Sequence, residues 1–406
     1  IIDSKGKIEG VGKKVNKNEI SNDYEIIDAQ KKILVPGIID MKVFVGEPGF
    51  EYKENFRTLS QAALAGGVTS VVSMPNTKPI IDNVSMVDFI IRRGRDKARI
   101  NIFPSASLTK NMDGNMMTEF GLLTDKGIIG FSDVNKTVQN TETMSKIMNY
   151  ASDLGVLVMQ HAEDYELSKN GDINDSEIAT RLGLEGISDV AEKIIVERDL
   201  TLLEKYPCRY HINQISSSKS LDVIKKNREK GLSFTVGVSI NNISLNENDI
   251  GDFKTFLKLS PPLRSENDRK SLIKGINDNL IDVIVSDHVP EDEESKRLPF
   301  AQAAQGAIGV ETLLPLALEL YHNKSLSLNK IIEVLTINPA KILKIDKGSL
   351  KKGSQADICV FDIDKPWIVK ADKLKSKSKN TAIENRKLQG KVLMTFLSGE
   401  LLYNQK

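Results

Sequence analysis

The chain has 406 residues, 40% of them hydrophobic and 27% charged, with 56 lysines and arginines against 55 acidic residues. That balance leaves no net field to attract nucleic acid or a membrane surface, and no apolar run is long enough to span a bilayer. Cys208 and Cys359 are the only cysteines, too few for a disulfide framework or a thiolate metal site, and they suit a reducing cytoplasm.

The length fits one large domain with a smaller one. No leader pattern is visible at the start, and nothing follows from that in a sequence that begins at Ile1 without a methionine. The first segment, "IIDSKGKIEGVG" (1–12), has two short runs about a Lys-Gly turn, a hairpin signal. Next comes "ILVPGIIDMKVFV", predicted as a buried strand. Lys42, Phe44 and Gly46 fall on alternate positions at its end, so a strand turns them to one face.

Seven further short apolar or β-branched runs follow: 68–76, 99–108, 127–133, 155–164, 209–216, 233–241 and 281–290. Most precede segments with helical spacing, such as 55–67 and 141–155. Strands alternating with helices predict parallel βα units, and eight units in about 250 residues predict a (β/α)8 TIM barrel. A doubly wound open sheet is the runner-up, disfavoured because no Gly-rich phosphate turn follows any strand. The runs at 348–364 and 390–404 repeat the hairpin signal of the N-terminus. They predict a small β-sandwich unit built from both chain termini, with 1–35 and 346–406 flanking a barrel at 36–345. "PPLRSENDR" is predicted to close a loop and start a helix, with Ser265 as N-cap and Glu266 and Asp268 in the first turn. The basic stretches "RRGRDKAR" (92–99) and "KLKSKSKN" (373–380) are short and predict solvated surface.

The strand ends carry an ordered series of motifs: "PGIIDMKVFVGEPGFEYKE", "GGVTSVVSMPNTKPIIDN", "GFSDVNKTVQN", "MQHAEDYELSKNG", "YHINQISSSKS", "SPPLRSENDR" and "SDHVPEDEESK". Together with the G-x-x-G-x-E-T motif at Gly306–Thr312, this series resembles the dihydroorotases, metal-dependent amidohydrolases of pyrimidine biosynthesis, over almost the whole chain. The resemblance implies a (β/α)8 barrel with a zinc centre, held by a His-x-His pair on the first barrel strand, an Asp after the fourth, and His residues after the fifth and sixth. An Asp after the eighth is the general base. Zinc lowers the pKa of bound water and polarises the amide carbonyl, and the carboxylate shuttles the proton. An Arg and Asn pair binds the substrate carboxylate, Arg by its bidentate fork.

Carried over residue by residue, the metal-ligand positions fall on Lys42, Phe44, Asp133, His161, Gln214 and Asp287, the last also being the general-base position. The substrate-binding positions fall on Asn76, Gly46 and Ser260. Asn76, Asp133, His161 and Asp287 are kept. Lys42, Phe44 and Gln214 replace three imidazoles, Gly46 replaces the Arg, and Ser260 replaces an Asn. His161 is either a metal ligand or a hydrogen-bonded pocket residue, and Asp133 and Asp287 are either catalytic or structural. Lys42 also has two readings. Its ammonium either replaces part of the missing positive charge beside Asp133 and Asp287, or reaches solvent at the barrel mouth. The resemblance therefore implies an inactive dihydroorotase-like chain with no cofactor and an idle Asp287. Its expected partner is aspartate carbamoyltransferase, with a homo-oligomer otherwise. The alternative is a divergent, zinc-dependent dihydroorotase or another cyclic-amide hydrolase.

Overall fold

The structure is a computed structural model that describes residues 1–12, 25–29 and 32–405. Its strands, in chain order, are β1 (Ile33–Pro36), β2 (Ile38–Val43), β3 (Val68–Ser73), β4 (Asn101–Pro104), β5 (Leu157–Gln160), β6 (Ile173–Asn174), β7 (Gly186–Ile187), β8 (Arg209–Ile215), β9 (Thr235–Ser239), β10 (Val283–Val285), β11 (Ile358–Ile368), β12 (Lys387–Leu397) and β13 (Glu400–Asn404).

Two parallel runs make the barrel wall, β2-β3-β4 and β5-β8-β9-β10. Phe131 joins them through parallel bridges to Ala106 and Val158, and a parallel bridge between Val43 and His288 closes the ring. All eight apolar runs of the sequence thus supply wall positions, although the fourth is reduced to a single bridging residue, Phe131. Beyond that bridge Val134 turns the chain at φ 59°, a conformation a β-branched residue rarely adopts. Across the closing seam Asp40 Oδ1 accepts from the Ser286 amide at 3.2 Å.

One face of four strands packs together. Ile39 and Met41, Val72 and Met74, Leu157 and Met159, and Val283 and Val285 are i, i+2 pairs that meet in a single buried cluster with Ala340 and Leu343. The outer helices are started by local chemistry. Asn55 caps Phe56–Ala65 by accepting from the amides of Arg57 and Thr58, and the buried stripe Phe56, Leu59, Ala62 and Ala63 lies in the main core. Ser265 caps Glu266–Asn277, with Glu266 and Asp268 in its first turn, where acidic groups complement the helix dipole. Each such cap contributes about 1 kcal/mol.

Both chain ends meet in one antiparallel sheet of order β1-β11-β12-β13. The N-terminal hairpin is present as an Ile2–Ile8 bridge. The run at 348–364 forms no hairpin of its own: Gln355 bridges to Lys7, and β11 pairs with β1 and β12.

Every lysine and arginine of the two basic stretches is exposed, as a solvated surface requires, and each stretch is also anchored to its surroundings. Arg93, on the helix Val84–Lys97, forms an ion pair with the buried Glu47 of "GEPGF". In residues 373–380 burial alternates strictly: Lys373, Lys375, Lys377 and Lys379 are exposed, while Leu374, Ser376, Ser378 and Asn380 are buried. The segment is pinned to the barrel. Ser376 Oγ donates to Glu54, Ser378 Oγ to the Lys53 carbonyl at 2.7 Å, and Asn380 Nδ2 to the Val289 carbonyl at 3.1 Å.

Candidate functional site

The end of β2 delivers Lys42 into a buried polar cluster. Its Nζ stands 3.0 Å from Asp287 Oδ1 and donates to Asn135 Oδ1 at 2.9 Å. The Lys42 and Asp287 side chains are 2% and 6% exposed, so this ammonium does not reach solvent at the mouth. The far carboxylate oxygen, Asp287 Oδ2, accepts from Gln214 Nε2 at 3.2 Å, and the same amide donates to the Ser260 carbonyl at 3.1 Å. Lys42, Gln214, Ser260 and Asp287 are therefore brought together. Backbone conformations uncommon for non-glycine residues mark the strand ends: φ is 152° at Gln214, 52° at Asp287 and 59° at Val134. Such outliers concentrate where surrounding structure imposes them, often at functional sites.

The other kept residues are differently engaged. Asp133 does not face Lys42 as a second carboxylate. Thr109 donates to its Oδ1 from the backbone at 3.1 Å and to its Oδ2 from the hydroxyl at 2.5 Å. Burial pushes the Asp133 carboxyl up to about 6, against the lowering effect of those bonds. His161 is 1% exposed, and among the described residues neither ring nitrogen has a hydrogen-bond partner. Burial first, and then the Lys42 charge, pushes the imidazole down to about 3, so it is neutral near pH 7. Asn76 is half-buried, and its Oδ1 has no hydrogen-bond partner among the described residues.

Phe44 and Gly46 are integrated into the turn after β2. The Phe44 amide donates to the His288 carbonyl at 2.9 Å, and its ring lies 6.0 Å from that of Phe50. Gly46 has φ +81°, and a Cβ there would lie 2.6 Å from the Glu54 carbonyl and 2.8 Å from that of Phe50. Only glycine fits that close approach.

Four partners escape sequence reasoning. Asn135 and Thr109 lie in loops where a single polar residue carries no periodic signal. Glu54 and His288 face each other with Oε2 and Nε2 3.7 Å apart, both fully buried. His288 Nδ1 accepts from the Gly309 amide at 3.1 Å, which places the ring proton on Nε2, toward Glu54. The hint in the sequence is that "SDH" and "YKE" both lie inside motifs already singled out.

The donor set does not fit a zinc centre. Phe44 has no donor atom, Lys42 brings a positive charge of its own, and both oxygens of Asp133 are engaged by Thr109. Among the described residues no three His, Cys, Asp or Glu side chains are placed to hold a metal ion. A cleft of about 570 Å³, lined in part by Phe253, Lys254, Phe256, Glu384 and Arg386, includes none of the cluster's residues. No helix among the described residues is long and apolar enough to cross a membrane.

Comparison with known proteins places this geometry. The dihydro-orotase-like family model matches residues 31–220 and the amidohydrolase family model residues 317–403. A dihydroorotase of Ehrlichia canis (strain Jake) is 40% identical over 418 residues, covering 99% of this chain and 93% of the relative. A dihydroorotase of Syntrophus aciditrophicus (strain SB) is 37% identical, covering 98% and 93%. Among solved structures, the L-hydantoinase (dihydropyrimidinase) from Arthrobacter aurescens superposes with a TM-score of 0.87 at 22% identity, covering 98% of this chain and 91% of that one. That likeness shows the amidohydrolase (β/α)8 fold, and the sequence relatives show the rest: this chain belongs to the dihydroorotase family.

Proposed function

We propose that this chain is a dihydroorotase-family protein of pyrimidine biosynthesis that does not hydrolyse the ring amide. Its role is then a structural or regulatory partner of aspartate carbamoyltransferase in the cytoplasm. The observation that carries this reading is the buried ion pair between Lys42 and Asp287. A carboxylate at the general-base position must be free to take a proton, and here it neutralises an ammonium instead. His161 does not replace it, because an imidazole held near a pKa of 3 is a weak base at neutral pH. Gly46 supplies no fork for a substrate carboxylate, and the turn around it leaves no room for one. The barrel core is built of buried apolar side chains, which is consistent with a folded chain that contributes through its surface.

A second reading, a divergent active dihydroorotase, is favoured by the retention of Asn76, Asp133, His161 and Asp287 and by the names of the relatives. Ring opening of dihydroorotate and cyclisation of carbamoyl aspartate by the purified chain separate the two. Turnover on the order of 1 per second, free of host enzyme, establishes the second reading. Co-expression with aspartate carbamoyltransferase, followed by size-exclusion chromatography with light scattering, tests the partnership. One hetero-oligomeric peak, with an interface above about 1,000 Å², supports it. Two separate peaks at micromolar concentration, each chain keeping its own mass, remove this partner and leave the protein's role open.

A further inference from the structure

We infer that the barrel mouth is a built site for a single positive charge, and that Lys42 is the cation tethered in it. The inference rests on the reading that Asp287 does not serve zinc chemistry here, and deepens it by naming what the site holds.

The Lys42 ammonium has two direct partners. One carboxylate oxygen, Asp287 Oδ1, meets the ammonium at 3.0 Å, and one neutral amide oxygen, Asn135 Oδ1, meets it at 2.9 Å. The second Asp287 oxygen is already taken by the Gln214 amide. Asp133, the other carboxylate of the family's ligand set, is held by Thr109. The direct contacts of the ammonium are therefore one carboxylate and one amide oxygen, while Glu163 lies within electrostatic range of Lys42. An empty site would leave Asp287 as an unpaired buried charge, which is costly. Nothing in these contacts requires the cation to be covalently attached. The polar walls persist without Lys42, because Gln214 is held by the Ser260 carbonyl as well as by Asp287.

The substitution Lys42→Ala deletes the atoms of n-propylammonium and should convert the tethered-cation site into a binding site for small primary ammonium ions. The experiment measures thermal unfolding of wild type and K42A in n-propylammonium chloride. Controls are n-propanol, a neutral molecule of the same heavy-atom count, sodium chloride at equal ionic strength, and zinc chloride. The expected result is a saturable rise in the melting temperature of K42A with n-propylammonium alone, and no such rise for wild type. Equal rescue by n-propanol would reduce the effect to cavity filling and overturn the inference, as would the absence of rescue.

If K42A does not fold, the cycle of K42M, D287N and K42M/D287N takes its place. Removing both charges should cost less stability than the two single losses together, and additive losses would refute the pairing. These readouts are thermal. Hydrolysis of dihydroorotate by wild type would instead overturn the functional reading, so the two failures are distinguishable.

Discussion

Thr109 holds both oxygens of Asp133, with its amide 3.1 Å from one and its hydroxyl 2.5 Å from the other. A buried carboxylate that has lost part of this cradle is left under-bonded, at a cost of about 1–3 kcal/mol. Thr109→Val is therefore expected to lower the urea midpoint. The sign of its pH dependence follows from the raised carboxyl. The folded pKa near 6 lies above the unfolded value of 3.8, so Asp133 stays protonated and costs little at low pH. It penalises the fold as pH rises through 6. The deficit of T109V should be larger at pH 7.5 than at pH 4.5, and an equal deficit would show that the ionised form is not what Thr109 stabilises.

The purified chain is expected to carry no stoichiometric zinc. Catalytic zinc takes three protein ligands, and the available imidazole and carboxylates are not gathered around one point. Elemental analysis after dialysis against buffer without chelator checks this, and two metals per chain would contradict it.

Restoring an arginine at position 46 is expected to damage the turn rather than rebuild a carboxylate clamp. The φ of +81° and the carbonyls 2.6 and 2.8 Å from a Cβ penalise any side chain, by about 1–3 kcal/mol for the backbone conformation alone. Gly46→Arg and Gly46→Ala should therefore fall in melting temperature together. An Arg variant as stable as wild type would show that the loop rearranges freely.

His211 provides a second pH handle. It is fully buried in β8, its Nδ1 lies 2.8 Å from Thr235 Oγ1, and burial pushes it from 6.5 down to about 3. Above pH 6.5 it is neutral in both states and has no effect. As pH falls from 6.5 toward 3 the unfolded chain takes up a proton that the folded chain refuses, so stability is lost. Each pKa unit is worth about 1.4 kcal/mol. His211→Gln should flatten the wild-type decline between pH 6 and pH 4, measured as the difference between two denaturation series. Parallel curves would mean that the folded imidazole titrates normally.

The barrel was legible because its signals are periodic. Runs such as 68–76 and 281–290 alternate with helical spacing, and apolar burial follows that spacing wherever the chain goes. The ligand positions were legible through ordered motifs, down to Lys42 and Gln214. What they touch was not. Asn135, two residues beyond Asp133, completes the Lys42 site only because Val134 turns the backbone at φ 59°. Thr109 reaches Asp133 across 24 residues of chain. Contacts of this kind depend on loop conformation and leave no pattern in composition or spacing. The stretch at 373–380 shows the same limit, since a run of lysines discloses charge but not that alternate serines beneath it are bonded to the barrel.

Glu54 receives the Ser376 hydroxyl and, at 3.2 Å, the Lys377 amide. It also faces His288 from across the barrel seam. One buried carboxylate thus ties together three stretches that lie far apart in the chain. Such a knot sets a cooperative opening unit. Solvent deuterons should reach the Lys377 amide when Glu54 lets go of it, so its exchange rate reports the release of a carboxylate 323 residues earlier that also faces the seam at His288.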